Sequence, residues 1–304
     1  MKKLIALLLA LFLLASLAAC GGSSDATNPA GSGKPGSNET KTPEPGANTP
    51  KTEPAAPAFQ ECTVIDNEFC TVKITEITES LLSGYVLKAM MENKTSDKTM
   101  CFTIDSASVN GVACEPFLSV EVPAGKKANK DISFSGDALK PLTEAYTDIE
   151  IALRAYDAES WEDITSETFH IYPYGEEKAT RFVREAQPSD LVLLDNDQCT
   201  VVVTGYDPDS IWGYAVCFYL VNKTDMMLTF SADNVSVNGF VCDPYWAKNV
   251  APGKVTFSNM DWSSAAFEQN GITAVEEIEF VLSVRNTDDF FADDLFSETF
   301  KLNP

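Results

Sequence analysis

The sequence predicts an all-β protein built as two tandem antiparallel β-sandwiches. Three observations carry this. The chain repeats itself: "SVNGVACEP" from Ser108 returns as "SVNGFVCDP" from Ser236. Along the repeated segments apolar and polar residues alternate with period two, the mark of a strand with one buried face. Asn-Gly pairs sit between short β-branched runs, where a type I′ hairpin turn needs residues that tolerate positive φ.

The first twenty residues, "MKKLIALLLALFLLASLAAC", form a leader. Lys2 and Lys3 give a positive start, Leu4 to Leu14 an apolar run, and Ala18 and Ala19 precede Cys20. The apolar run is short for a membrane span. The ordered combination resembles the lipobox of bacterial lipoprotein signal peptides, here "LAAC" followed by Gly21. That resemblance implies a signal peptide over 1–19, a diacylglycerol thioether on Cys20, and a mature protein held by lipid at the outer face of the cytoplasmic membrane. Residues 20–57 then form the lipid-anchored tether. They are rich in Gly, Ser, Thr, Asn and Pro and lack large apolar side chains, so nothing in them offsets the entropy of ordering. As a coil this tether spans about 35 Å.

The first copy is expected over 58–174 and the second over 189–304, joined by a linker at 175–188 in which "EKATRFVREAQ" reads as a short helix. "CTVKIT" at Cys70 pairs with "CTVVVT" at Cys199, Asn93-Lys94-Thr95 with Asn222-Lys223-Thr224, and "DIEIAL" at Asp148 with "EIEFVL" at Glu277. Ile149, Ile151, Leu153 and Ala155 are expected to point inward, as are Ile278, Phe280, Leu282 and Val284. Asn110-Gly111 and Asn238-Gly239 mark hairpin tips. About seven strands per copy follow, with helix only at "SGDALKPLTEA" and "SSAAFEQNG". This is the pattern of immunoglobulin-like sandwiches, each expected to keep its own sheets. The carrying segments "GYVLKAMMENKT", "VNGVACEPF" and "VPAGKKA", with their second-copy equivalents, resemble an uncharacterised immunoglobulin-like domain of Gram-positive, largely clostridial, surface lipoproteins. The resemblance implies fold and location, not a reaction or ligand.

Composition narrows the function. A formal net charge of −23 repels phosphate backbones and anionic membrane surfaces, so nucleic acid is excluded as a partner. His170 is the single histidine and aligns with Lys301 on an outward face, a poor position for a general base. Nothing in the sequence asks for a cofactor or a metal. The acidic stretches Asp157 to Asp163 and Asn286 to Asp294 read as solvated loop tips rather than calcium loops. Cys70 and Cys114, and their counterparts Cys199 and Cys242, read either as one disulfide per domain or as buried thiols. Cys62 and Cys101 occur only in the first copy and could pair, while Cys217 is expected free. Among the four tryptophans, Trp262 and Trp161 fall on core positions of the repeat. Trp212 and Trp246 replace Ser83 and Leu118, and with Tyr245 they are the candidate ligand-binding residues. The expected task is non-catalytic: a binding or adhesion module for an envelope or extracellular protein or glycan. The alternative is a structural spacer or assembly subunit without a ligand of its own. The sequence leaves the oligomeric state open.

Overall fold

The computed structural model describes residues 59–80, 84–244, 246–289 and 291–304. The leader 1–19, Cys20, the tether to 57 and Tyr245 lie outside the described residues.

The fold is nearly all β. The first repeat runs β1 (Cys62–Asp66), β2 (Cys70–Ser80), β3 (Gly84–Asn93), β4 (Met100–Val109), β5 (Val112–Cys114), β6 (Ser119–Val122), β7 (Lys127–Phe134), β8 (Ile149–Asp157) and β9 (Asp163–Ile171). The second runs β10 (Leu191–Asp195), β11 (Cys199–Ser210), β12 (Gly213–Asn222), β13 (Leu228–Val237), β14 (Phe240–Val241), β15 (Ala247–Val250), β16 (Val255–Ser263), β17 (Ile278–Asn286) and β18 (Phe296–Leu302). Among the described residues, nine strands per repeat exceed the expected seven or so. The excess comes partly from β5 and β6, two short pieces that pair successively with β4 and are separated by Pro116, which has no N–H to donate.

The two repeats share one strand order. In the first, β1-β2-β3-β7 form one sheet, while β5-β4-β8-β9 form a second with β6 also on β4. In the second, β10-β11-β12-β16 mirror the former and β14-β13-β17-β18, with β15 on β13, mirror the latter. Ile74 and Leu87 of one sheet and Phe102 and Ile151 of the other belong to a single hydrophobic cluster. Val201, Phe218, Phe230 and Phe280 do the same in the second repeat. The alternation read from the sequence points the expected way: Ile149, Ile151, Leu153, Ala155, Ile278, Phe280, Leu282 and Val284 are all fully buried. Asn110 and Gly111 take φ of 49° and 80°, and Asn238 and Gly239 51° and 80°, as a type I′ turn requires.

Helix is scarcer than expected. A 3₁₀ turn at Asp137–Leu139 and α1 (Ser264–Gln269), capped by Ser263, stand where helix was anticipated. The linker does not form the helix its composition suggested, beyond a 3₁₀ turn at Glu176–Lys178. Tertiary partners hold it extended instead. The Phe182 amide donates to the Asn110 carbonyl at 2.7 Å, and Arg184 clamps Asp190 with two bonds of 2.6 and 2.7 Å.

The expectation that each repeat keeps its own sheets is overturned. Val255 of β16 bridges Val112 of β5 in parallel, so one nine-stranded sheet crosses both repeats. The Val255 amide donates to the Gly111 carbonyl at 3.1 Å, and the Thr256 hydroxyl to the Ala113 carbonyl at 3.3 Å. Tyr219, Val221 and Phe257, on the outer face of the second repeat's sheet, pack against the first repeat's cluster together with Phe182. Lys254 reaches Glu150 and Lys248 reaches Glu115, each at 2.5 Å. The described residues of both repeats accordingly fall in one compact unit.

The physical reason lies in the outward face of β12 and β16. The corresponding first-repeat face carries cross-strand ion pairs, Lys127–Glu92 at 3.0 Å and Lys88–Glu76 at 2.7 Å. In the second repeat Lys127 becomes Val255, Asn129 becomes Phe257 and Glu92 becomes Val221. A solvated face has turned apolar, and burying it against the first repeat is what joins the two.

Candidate functional site

The junction leaves a cleft of about 660 Å³ between the repeats. Its first-repeat wall is the turn around Asp137 and Lys140, with Glu115 beyond; its second-repeat wall is β16 and the β11–β12 hairpin tip. That tip is tight because Gly213 sits at φ 136°, with Trp262 and Ser264 backbone atoms about 2.5 Å from where a Cβ would stand. It therefore projects Ile211 and Trp212 outward, 91% and 68% exposed. Trp212 lines the mouth of the cleft.

Four carboxylates face this space: Glu115, Asp137, Asp207 and Asp261. Lys248 pairs with Glu115, and Lys140 pairs with Asp137 at 2.6 Å. Asp207 and Asp261 have no cationic partner among the described residues. Burial pushes the Asp261 carboxyl above the ordinary carboxylate range; the Ser210 hydroxyl, donating at 3.1 Å, offsets part of this, and the charges of Asp137 and Asp207 reinforce it. An exposed indole beside uncompensated carboxylates can stack on a flat group and attract a cation.

The candidate residues read from the sequence separate here. Trp212 is at the cleft. Trp246 is a correction: it is 6% exposed, stacks on Phe218 at 4.8 Å between ring centroids, and donates from Nε1 to Ser258 Oγ at 2.9 Å. It replaces Leu118 because both fill the core, not because it faces a ligand. Trp161 is corrected in the opposite sense. It is 70% exposed at φ 65° and stacks on Tyr156, on the outer face of β8, at 5.3 Å.

The disulfide reading of the paired cysteines gives way to the thiol reading. All seven described cysteines are free. Strand register explains it. Cys70 lies opposite Asn93, whose side chain donates to Val122, the partner of Met100 at one end of β4. Cys114 lies opposite Ala107, seven residues further along β4, or about 23 Å of extended chain. Cys199 and Cys242 are separated likewise, through Asn222, Val250 and Leu228 at one end and Val235 at the other. A disulfide needs Cα atoms within about 7 Å. Desolvation pushes the thiols of Cys70 and Cys199 up to about 11 and that of Cys114 to about 12, and raises that of Cys242. Cys62 packs against the core, whereas Cys101 sits on the other face of its strand near Ser119, so these two do not pair either.

His170 lies on the outer face of β9, as expected. Its Nδ1 is 2.7 Å from Asp148 and its Nε2 3.3 Å from Glu150, so carboxylates occupy both ring nitrogens. In the acidic loops the carboxylates cap their own backbone: Asp157 accepts from the Glu159 amide at 2.9 Å, and Asp289 from those of Phe291 and Ala292 at 3.2 Å. Sequence reasoning missed Asp207 and Asp261. The available signal was the repeat itself, since Asp261 replaces Ser133. A second, apolar groove of about 610 Å³ opens in the second repeat beside Tyr206, Tyr214 and Phe267.

No family model matches the chain, and no curated protein matches it. Among solved structures it is similar to the YadV chaperone, at 10% identity and a TM-score of 0.20, covering 71% of this chain and 92% of that one. It is also similar to the Amycolatopsis orientalis exo-chitosanase CsxA, at 12% identity and a TM-score of 0.20, covering 75% of this chain. A third likeness is to red sea bream transglutaminase, at 10% identity and a TM-score of 0.20, covering 70% of this chain. The chain spans 26% and 29% of the length of those two enzymes.

Proposed function

We propose that this is a lipid-anchored surface protein whose two immunoglobulin-like sandwiches form a non-catalytic binding module for a protein or glycan of the envelope or its surroundings. The lipobox resemblance at Cys20 supports attachment at the outer face of the cytoplasmic membrane, in a Gram-positive envelope. The equal strand order of the repeats supports the sandwich reading. One observation carries the binding reading: Trp212, 68% exposed, stands at the mouth of a cleft whose Asp207 and Asp261 lack cationic partners among the described residues. That chemistry fits a cationic, flat or ring-bearing group, such as a Lys- or Arg-containing segment or an amino sugar. No nucleic acid is expected there, since Lys140 and Lys248 are already paired with Asp137 and Glu115 and phosphate would meet the uncompensated Asp207 and Asp261.

The reading is tested by capture from the native envelope with the full chain and with Trp212→Ala and Asp261→Asn. A partner held by the wild type and lost by both variants supports it. Equal capture by all three, or none by any, defeats it. A second reading, a rigid spacer without its own ligand, is favoured by the sheet that crosses both repeats. Attachment is tested separately: Cys20→Ala should free the protein from membranes or leave it unprocessed.

A further inference from the structure

The junction between the repeats is also a worked example of what the β5 edge accepts, and the second repeat carries the same edge open. β14 is the counterpart of β5, with Phe240 and Val241 at the positions of Val112 and Ala113. Val112 and Ala113 are 0% and 9% exposed, covered by β16; Phe240 and Val241 are 49% and 84% exposed. Arg181 stands 3.2 Å from where a Cβ on Gly111 would lie, while nothing stands within 4 Å of that point on Gly239. The anionic frame is retained: Glu279 replaces Glu150, the partner of Lys254, and Asp243 replaces Glu115, the partner of Lys248. An exposed apolar edge strand is a template for pairing.

The complementary edge is open in the first repeat. β7 is the counterpart of β16, and among the described residues it pairs only with β3, at the end of its sheet. Lys126 matches Lys254, and Lys126, Lys127 and Lys130 are all exposed along this edge. The chain is strongly acidic in total, yet along this edge Lys126, Lys127 and Lys130 outnumber Asp131, with Lys127 paired to Glu92, while the β14 edge is bordered by Asp233, Glu276, Glu277 and Glu279, with Lys301 the cation among them.

We propose that these two edges meet in trans: β14 of one molecule takes β7 of a second copy of this chain, repeating the β5–β16 contact. The Lys127 amide then faces the Gly239 carbonyl, as Val255 faces Gly111, and the Lys126 ammonium faces Glu279, as Lys254 faces Glu150. Such a contact is head-to-tail rather than two-fold, and left open it builds chains rather than dimers. Because the β7 face carries lysines and Asn129 in place of Val255 and Phe257, the contact buries less apolar surface than the internal junction. It is weak, sensitive to salt, and strengthened when molecules are crowded on one surface. This inference is independent of the cleft.

Sedimentation equilibrium of the full chain in detergent, over rising protein concentration, tests it. The average mass should climb past the dimer without a plateau, and the association constant should fall about tenfold on going from low to high salt. Phe240→Asp with Val241→Asp should leave a monomer that melts where the wild type does. Lys126→Glu and Glu279→Lys should each weaken association by roughly threefold to tenfold, and an equimolar mixture of the two should regain it. A monomer at every concentration overturns the proposal. So does a plateau at the dimer, which would mean two-fold pairing of like edges, or association indifferent to these substitutions.

Discussion

At the scale of single residues, Trp246 and Trp212 separate by what they touch. Trp246 is wedged on Phe218, so Trp246→Ala should cost about 3–5 kcal/mol, measured as the shift of the denaturant midpoint. Trp212→Ala should change stability by no more than about 0.5 kcal/mol while abolishing capture of a cationic partner. The thiols behave by burial. Cys70, Cys114, Cys199 and Cys242, all desolvated, should resist alkylation at mildly alkaline pH in the folded protein and react promptly once it is unfolded, with no reductant needed. A requirement for reductant would contradict the free thiols.

At the scale of elements, Asn93 and Asn222 tie the loop after β3 and β12 to the opposite sheet. Asn222 donates to the Met226 and Val250 carbonyls at 2.7 and 2.8 Å and accepts from the Thr224 amide and hydroxyl. Asn222→Ala removes these bonds, leaving the Met226 carbonyl, among the described residues, only the Thr224 hydroxyl and that hydroxyl only Met226, and a loss of about 1–3 kcal/mol is expected in denaturant unfolding. The linker has its own pH signature. The Arg184 guanidinium, followed by the Gln187 amide, holds the Asp190 carboxyl down at about 2. An unfolded aspartate titrates near about 3.9, so the stability this pair adds is complete above that value and is lost as pH falls toward 2. Thermal melts of Arg184→Gln should be less stable at neutral pH and should lack that segment of the acid limb.

At the scale of the whole molecule, the apolar face of β12 and β16 decides whether two repeats make one body. Returning it to first-repeat residues, with Val255→Lys and Phe257→Asn, should separate them. We expect a larger radius of gyration by solution scattering and a single unfolding transition split in two. The loss corresponds to about 1.5–3 kcal/mol for each apolar side chain uncovered. Unchanged scattering would mean that the Lys254–Glu150 and Lys248–Glu115 pairs suffice to hold the junction.

The sequence by itself determined the strands, their inward faces, the Asn-Gly turns and the doubling. These are local properties: alternation and turn chemistry act within a few residues, and a repeat is visible in the string. Tertiary structure alone decided which departures from the repeat mean contact between repeats and which mean an open site. Val221, Val255 and Phe257 depart as visibly as Trp212 and Trp246 do, yet the first three are covered by the first repeat, Trp246 fills a core, and only Trp212 faces solvent at the cleft. It also decided the cysteines, because period-two phase tells which face a thiol takes but not how far along the sheets its partner lies. Burial at a junction depends on a surface brought from more than a hundred residues away, and no local pattern encodes the arrival of that surface.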